Sequence, residues 1–288
     1  MALALASAAR GREAVVINAD SAQVYRNLRV LSARPLPEDM RGVDHRLFGT
    51  WDGAQACSAA DWAKAARAEI ADAQALGKLP VLVGGTGLYL RTLLDGIAPV
   101  PAIDPVVREV VRGLAQDERH AALRVEDAPA AARIAPADIA RTARALEVVR
   151  STGRTLTEWQ RVRSGGIAHS VDLRAVILLP DRAALYRRCN ARFAAMLDGG
   201  AVDEVAALLA RGLDPALPVM RAIGVREVAG LIRGGMTHSE ALAAGQQATR
   251  NYAKRQFTWL RHQLPGEWRR VESENYTERT IIDHILQD

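Results

Sequence analysis

Three short stretches of the chain are apolar without alternation: residues 14–18, 79–83 and 175–179. Such runs, β-branched or leucine-rich and lacking a polar face, predict buried strands of a parallel sheet. Between them the spacing is helical. Ser58 with Asp61 forms a capping box that opens a helix running to about Leu76 and stopping at Gly77. Asp104 followed by Pro105 is a cap and a first-turn proline. From 104 to about 163 only helical patterning occurs, including a second capping box at Thr155 and Glu158, which predicts a helical insertion domain over 104–170. After Ser164-Gly165-Gly166 the third apolar run restores the α/β pattern. Pro180-Asp181 then opens a helix to about Leu197, and Thr237 with Glu240 opens a long one to about His262. Residues 2–9 read as the tail of an apolar helix ended by Gly11, and the last twenty residues carry no pattern. The expected class is α/β, with a core discontinuous in sequence, 1–103 and 171–288, around the insertion.

Composition narrows this only a little. With 288 residues, 49% hydrophobic and 25% charged, the chain can bury an ordinary core. A net charge of +5, from 38 Lys+Arg against 33 Asp+Glu, is too small an excess to identify a partner. Cys57 and Cys189 belong to no metal-ligand or disulfide spacing, which fits a reducing compartment. The opening MALALASAARG lacks the basic region of a secretion signal, and no run approaches the roughly 18 apolar residues of a membrane span. A cytoplasmic protein without a membrane partner is expected.

The chemistry gathers at strand ends. VVINADSAQVY puts Asp20 and Ser21 just past the carboxyl end of the first strand, the edge where open α/β sheets hold ligands. A carboxylate there can accept a proton or hold a metal; equally, Asp20 can simply cap the turn that follows. LPVLVGGTGLYL ends the second strand in Gly84-Gly85-Thr86-Gly87 before a helix, offering backbone amides and a hydroxyl at the same edge. A tight turn without a ligand explains the glycines as well. The only Gly-Lys pair, Gly77-Lys78, is followed by Leu79 and is not a phosphate-binding loop.

ATRNYAKRQFTWLRHQ has no acidic residue from Ala248 to Gln263. On a helix Arg250, Lys254, Phe257 and Arg261 fall within about 60° of one another, a basic stripe with one aromatic that suits a phosphate backbone. Arg141, Arg144, Arg150, Arg154, Arg161 and Arg163 give the insertion a second basic stretch, although scattered surface arginines explain the last four as well, and Arg221 and Arg226 flank Gly224 in MRAIGVRE. Two basic lobes beside an α/β edge suggest a long anionic substrate.

Taken together and in order, NADSAQVYRNLRVLSARP, LPVLVGGTGLYLRTLLDG, RALEVVRSTGRT, MRAIGVRE and ATRNYAKRQFTWLR resemble the tRNA dimethylallyltransferase family over nearly the whole chain. The resemblance implies a P-loop-NTPase-like parallel sheet with a helical insertion. It also implies Mg²⁺, with its ligands left open, and transfer of a dimethylallyl group from dimethylallyl diphosphate to N6 of the adenosine 3′ to the anticodon. Asp20 matches the family's general base and Thr86 the threonine that holds the amine or the reacting centre, while Arg226 is the candidate for part of the cationic compensation of the departing diphosphate. Positions matching contacts to the tRNA anticodon stem-loop are Asp20, Ser21, Ala22 and Gln23; Arg108; Ala140, Arg141, Thr142, Ala143 and Arg144; Arg221, Gly224 and Arg226; and Lys254, Arg255, Gln256, Phe257, Trp259 and Arg261. A monomer is expected.

The sequence departs from the family at Ala140, where a glutamine is usual, and mildly at Ser32 and Arg34, usually Thr and Lys. The family also places a strand and a glycine-rich P-loop ahead of the first motif. Met1 falls just after the expected end of that loop, so the resemblance implies about twenty further residues before it. Two other readings stay open: an RNA-binding remnant without chemistry, and a P-loop kinase or prenyltransferase acting on free adenine nucleotides.

Overall fold

The computed structural model describes Gly11 and residues 13–272; the apolar helix expected over 2–9 lies outside them. Two compact units emerge, one formed by Leu93–Ser170 and the other by the segments up to Thr92 and from Val171 onward. The helical unit thus begins at Leu93, ahead of the 104 that the sequence pattern gives.

In the α/β unit, β1 (Ala14–Asn18) is buried at every position and takes the centre of a three-stranded parallel sheet, as its apolar run from Ala14 to Ile17 favours. A short helix α1 (Pro37–Met40) leads to β2 (Asp44–Arg46) on one side; α2 (Ala59–Ala75) leads to β3 (Leu79–Val83) on the other. Ala14, Val16 and Val81 pack with Val43, Phe48 and Leu79. The polar sequence Asp-His-Arg gives β2 no strand signal. Its place is fixed by Arg46, which pairs with Asp44 at 2.9 Å and reaches Glu69 at 2.8 Å and Asp72 at 2.5 Å on α2. The Ser58–Asp61 box caps α2, and Gly77, at φ +71°, ends it as expected. The next helix, α3 (Gly87–Asp95), follows β3 directly.

The helical unit contains α4 (Pro105–Gly113), α5 (Gln116–Glu126), α6 (Ala128–Arg133), α7 (Ile139–Thr152) and α8 (Leu156–Gln160). Val111, Leu123, Ala130, Ala131, Ala145 and Leu146 form its core. Buried Arg119 on α5 donates to the carbonyls of Val111, Arg112 and Leu114, which satisfies the open C-terminus of α4. The caps at Asp104 and at Thr155 with Glu158 form as the sequence predicts.

The chain returns to the first unit with β4 (Val176–Leu178), α9 (Arg182–Met196), α10 (Val202–Leu209), α11 (Val225–Ile232), α12 (His238–His262) and β5 (Arg269–Val271). Here one expectation is corrected. The run at 175–179 is a strand, but it does not join the sheet of β1 and β3; it pairs in parallel with β5, Ile177 opposite Arg270. The partner is Arg-Arg-Val, too short and polar to announce itself. Helices α9 and α12 pack face to face, and Gly245 lets the Phe193 ring in so closely that a Cβ there would lie 2.0 Å from it. Among the described residues no helix is long and apolar enough to cross a membrane.

Candidate active site

The site begins where β1 ends. Asn18, fully buried, donates from Nδ2 to the Asp20 carbonyl at 3.0 Å and to the Leu47 carbonyl at 3.1 Å, while its Oδ1 accepts the Asp20 N–H at 2.9 Å. Ala19 continues the β1–β3 ladder through Val83, and its carbonyl accepts the Thr86 N–H at 3.2 Å. The two strand ends are therefore stitched together, and Gly84 permits it. A Cβ at Gly84 would sit 2.2 Å from the Ala19 carbonyl carbon, closer than any side chain allows. Replacing Gly84 by alanine is expected to destabilise the fold by about 1–3 kcal/mol or more. Gly113→Ala, at the end of α4 with open space around it, is expected to be neutral or stabilising. Denaturant midpoints of the two variants check this.

Asp20 is half-buried. Its Oδ1 accepts the Ala22 N–H at 2.8 Å, so it does cap a turn, and burial nonetheless pushes its carboxyl above the usual aspartate range. That Asx turn, the Gln23 N–H and the positive charge of Arg192 on α9 pull the other way without prevailing. Thr86 Oγ1 accepts the Ser21 N–H at 2.9 Å and donates to Ser21 Oγ at 3.2 Å. Tyr252 of α12 adds a third hydroxyl to this pair. Burial and the nearby Asp20 charge raise its phenol, so it stays a neutral donor, although Thr86 and Ser21 favour its anion.

One face of α12 closes the edge. Gln256 lies over Gly85 and the Trp259 ring over Gly87, where a Cβ would come within 2.8 Å and 2.3 Å of them. Arg91 lies over the Trp259 ring, 5.7 Å from its centroid. The glycines make room for α12, and Thr86, Tyr252 and Asp20 lie at one edge. Beneath, Trp62 stacks on Tyr89 at 4.6 Å and donates to the Asn18 carbonyl at 2.8 Å.

The other predicted positions separate by exposure and partner. Gln23 spends its side-chain amide on the Ser32 and Ala33 carbonyls. Lys254, Arg255 and Arg261 are exposed on α12, and among the described residues no carboxylate pairs with them. Arg250 of the same stripe is held by Asn190 Oδ1 at 2.6 Å and Gln247, and Phe257 lies under Arg182 at 5.5 Å. Gly224, at φ +92°, caps α11 with Arg226 exposed in its first turn, and Arg221 ends the preceding turn. Gly224 abuts Leu31 and Phe193.

In the helical unit Arg108 and Arg144 come together. Partial burial, and less so the charge of Arg108, lowers the Arg144 guanidinium against the pull of Glu147. Arg141 is exposed beside Asp138. Thr142 is fully buried, with its hydroxyl donated to the Asp138 carbonyl, and Ala143 packs on the core, so from 140–144 only Ala140, Arg141 and Arg144 face outward. Arg150 and Arg163 of the basic stretch are taken by Glu126 and Asp95.

Sequence reasoning missed Asn18, Tyr252 and Arg192. Tyr252 lies inside the basic stretch that pointed to RNA, one turn before Gln256, and the i, i+4, i+7 spacing of 252, 256 and 259 was the available signal.

Comparison with known proteins gives concordant results. A family model described as IPP transferase matches residues 23–263. The chain is similar to a tRNA dimethylallyltransferase of Erythrobacter litoralis, 61% identical over 99% of this chain and 90% of the relative. A tRNA dimethylallyltransferase of Novosphingobium aromaticivorans is 62% identical over 96% of this chain and 99% of the relative. Among solved structures it resembles the tRNA isopentenylpyrophosphate transferase of Bacillus halodurans, with TM-score 0.69 and 29% identity, covering 98% of this chain and 90% of that one. It shares its fold with a eukaryotic dimethylallyltransferase acting on tRNA, at TM-score 0.80 and 22% identity over 99% of this chain and 73% of the other.

Proposed function

Because the chain belongs to the IPP transferase family, whose similar members are tRNA dimethylallyltransferases, we propose that Asp20 is the general base for prenylation of an adenosine in tRNA. The donor is dimethylallyl diphosphate and the acceptor is the N6 amine of the adenosine 3′ to the anticodon. The N6 lone pair forms a bond to C1 of the dimethylallyl group as the C1–O bond breaks. The electron pair of that bond leaves with diphosphate, and the N6 proton passes to the Asp20 carboxylate. What carries this reading is one half-buried carboxylate, raised by its surroundings, at an edge furnished with hydroxyls and a cation.

Thr86 and Tyr252 supply hydroxyls to orient the amine beside Asp20. Arg192, whose charge reaches Asp20, joins Arg226 as a candidate for balancing the diphosphate. Among the described residues no three His, Cys, Asp or Glu side chains converge on a metal position. Mg²⁺ fits such an edge, since it is held largely by substrate phosphates and water with few protein oxygens. The Ser21 hydroxyl would be the protein oxygen that joins its shell, and the ion would neutralise charge on the leaving diphosphate. On the α/β unit Lys254, Arg255, Arg261 and Arg221 are proposed to meet tRNA phosphates, as are Arg108, Arg141 and Arg144 on the helical unit. The target base leaves its stack to react, which a single-stranded loop makes cheap. The enzyme is proposed to act as a monomer in the cytoplasm.

The test is single-turnover transfer of a labelled dimethylallyl group to an anticodon stem-loop carrying adenosine or guanosine at the target position, measured across pH. Transfer to the adenosine loop alone is expected. The acid limb is expected above pH ~4, the ordinary aspartate value, because Asp20 must be ionised and burial opposes that. Tight binding of the loop without transfer would support an RNA-binding protein instead.

A further inference from the structure

Resting on the reading of Asp20 as base, we infer that Asn18 is its positioning residue. Asn18 does not reach the surface, yet its amide grips Asp20 on both main-chain sides: Oδ1 takes the Asp20 N–H and Nδ2 gives to the Asp20 carbonyl. The second Nδ2 hydrogen goes to the carbonyl of Leu47, the residue directly after β2. Leu47 is buried and sits at φ +62°, a left-handed conformation that a leucine holds only when its surroundings dictate it. The Asn18 carbonyl in turn is fixed by the Trp62 indole.

One amide thus ties the base to two strand ends. No other side chain of this size offers one acceptor and two donors in that plane. Aspartate keeps the shape and the acceptor, but it sets a carboxylate oxygen against two carbonyl oxygens. Serine is too short to span to Leu47. The consequence for catalysis is that the Asp20 carboxylate, free to rotate only about its side-chain bonds, starts from a fixed backbone before RNA arrives. Small displacements of a reacting group from its working position are expensive in rate.

The experiment compares Asn18→Asp with Asp20→Asn in the full chain. With Asn18→Asp, single-turnover transfer at saturating tRNA is expected to fall about tenfold to a hundredfold. The dissociation constant of the stem-loop is expected to stay within about twofold, as for any change confined to orientation of the base. A fall no larger than the loss of folded protein, or a weakened affinity with the rate intact, overturns the positioning role. If Asp20→Asn also leaves the rate intact, the base assignment itself is wrong; if only Asn18→Asp does, the fault lies with Asn18 alone. Should Asn18→Asp not fold, amide exchange in the unaltered protein decides. Protection of the Asp20 N–H alongside the β1 amides is expected, and exchange at the rate of an open loop rejects the clamp.

Discussion

Asp20→Asn lowers the single-turnover rate of prenyl transfer by about 10²–10⁴-fold, the range over which a positioned base contributes. The asparagine still accepts the Ala22 N–H through its side-chain oxygen, so the turn over 20–22 survives and the stem-loop binds with its affinity unchanged. Equal losses of rate and affinity would place Asp20 in RNA binding and remove it from the chemistry. The same substitution has a second consequence. The carboxyl of Asp20 is raised in the folded chain by burial, so its ionised form opposes folding. That penalty is absent below the unfolded aspartate pKa, near pH ~4, and fully in force above the raised folded value. Asn at 20 carries no such charge. A variant that has lost its chemistry is therefore expected to melt at or above the temperature of the original at neutral pH, with the difference vanishing toward pH 3. Calorimetry at the two pH values checks it, and a variant less stable at both rejects the burial argument.

The second large effect concerns affinity. Lys254 and Arg261 lie on the outward face of α12, exposed and without a carboxylate partner among the described residues, whereas the inward face carries Tyr252, Gln256 and Trp259. Each exposed cation that meets a phosphate displaces about one counterion, so Lys254→Ala with Arg261→Ala is expected to lower the log–log salt slope of tRNA binding by roughly 2. Transfer at saturating tRNA is expected to be preserved. An unchanged slope would mean that these side chains are only a solvated helix face. Arg250 makes the contrasting case, since Asn190 and Gln247 already engage its guanidinium, and its removal is expected to show in stability before salt dependence.

Those side chains also mark how far the sequence could be read. The strand β1 was legible because a strand buried on both faces needs a nearly unbroken apolar run, and β3 for the same run although only Val81 of it is fully buried; the capped helix starts were legible because a cap is a local event. Asp20 and Thr86 followed from their place after those strands. What stayed hidden depends on distant partners. Asp44–Arg46 is a strand because of ion pairs to a helix some 25 positions away, and Arg269–Val271 because residue 176 and its neighbours supply a ladder. Asn18 reads as an unremarkable polar residue ending a strand until Leu47 comes alongside, and Arg192 as one surface arginine among several on α9 until the helix brings it near Asp20. Arg150 and Arg163, which scattered surface arginines explained as well as an RNA contact did, are paired with Glu126 and Asp95.

The Trp259 ring seated on Gly87, and Gln256 on Gly85, have a meaning for the order of synthesis. The strand-end turn leaves the ribosome early, with Asp20 and Thr86 already made, but the helix that covers it comes some 170 residues later. Until then the edge stands open to water and to stray partners, with the Tyr252 phenol not yet in place. Long-range closures of this kind are slow steps and expose apolar surface while they are pending. A nascent chain released before the end of α12 would hold every residue of the strand-end motifs and still lack the roof over them.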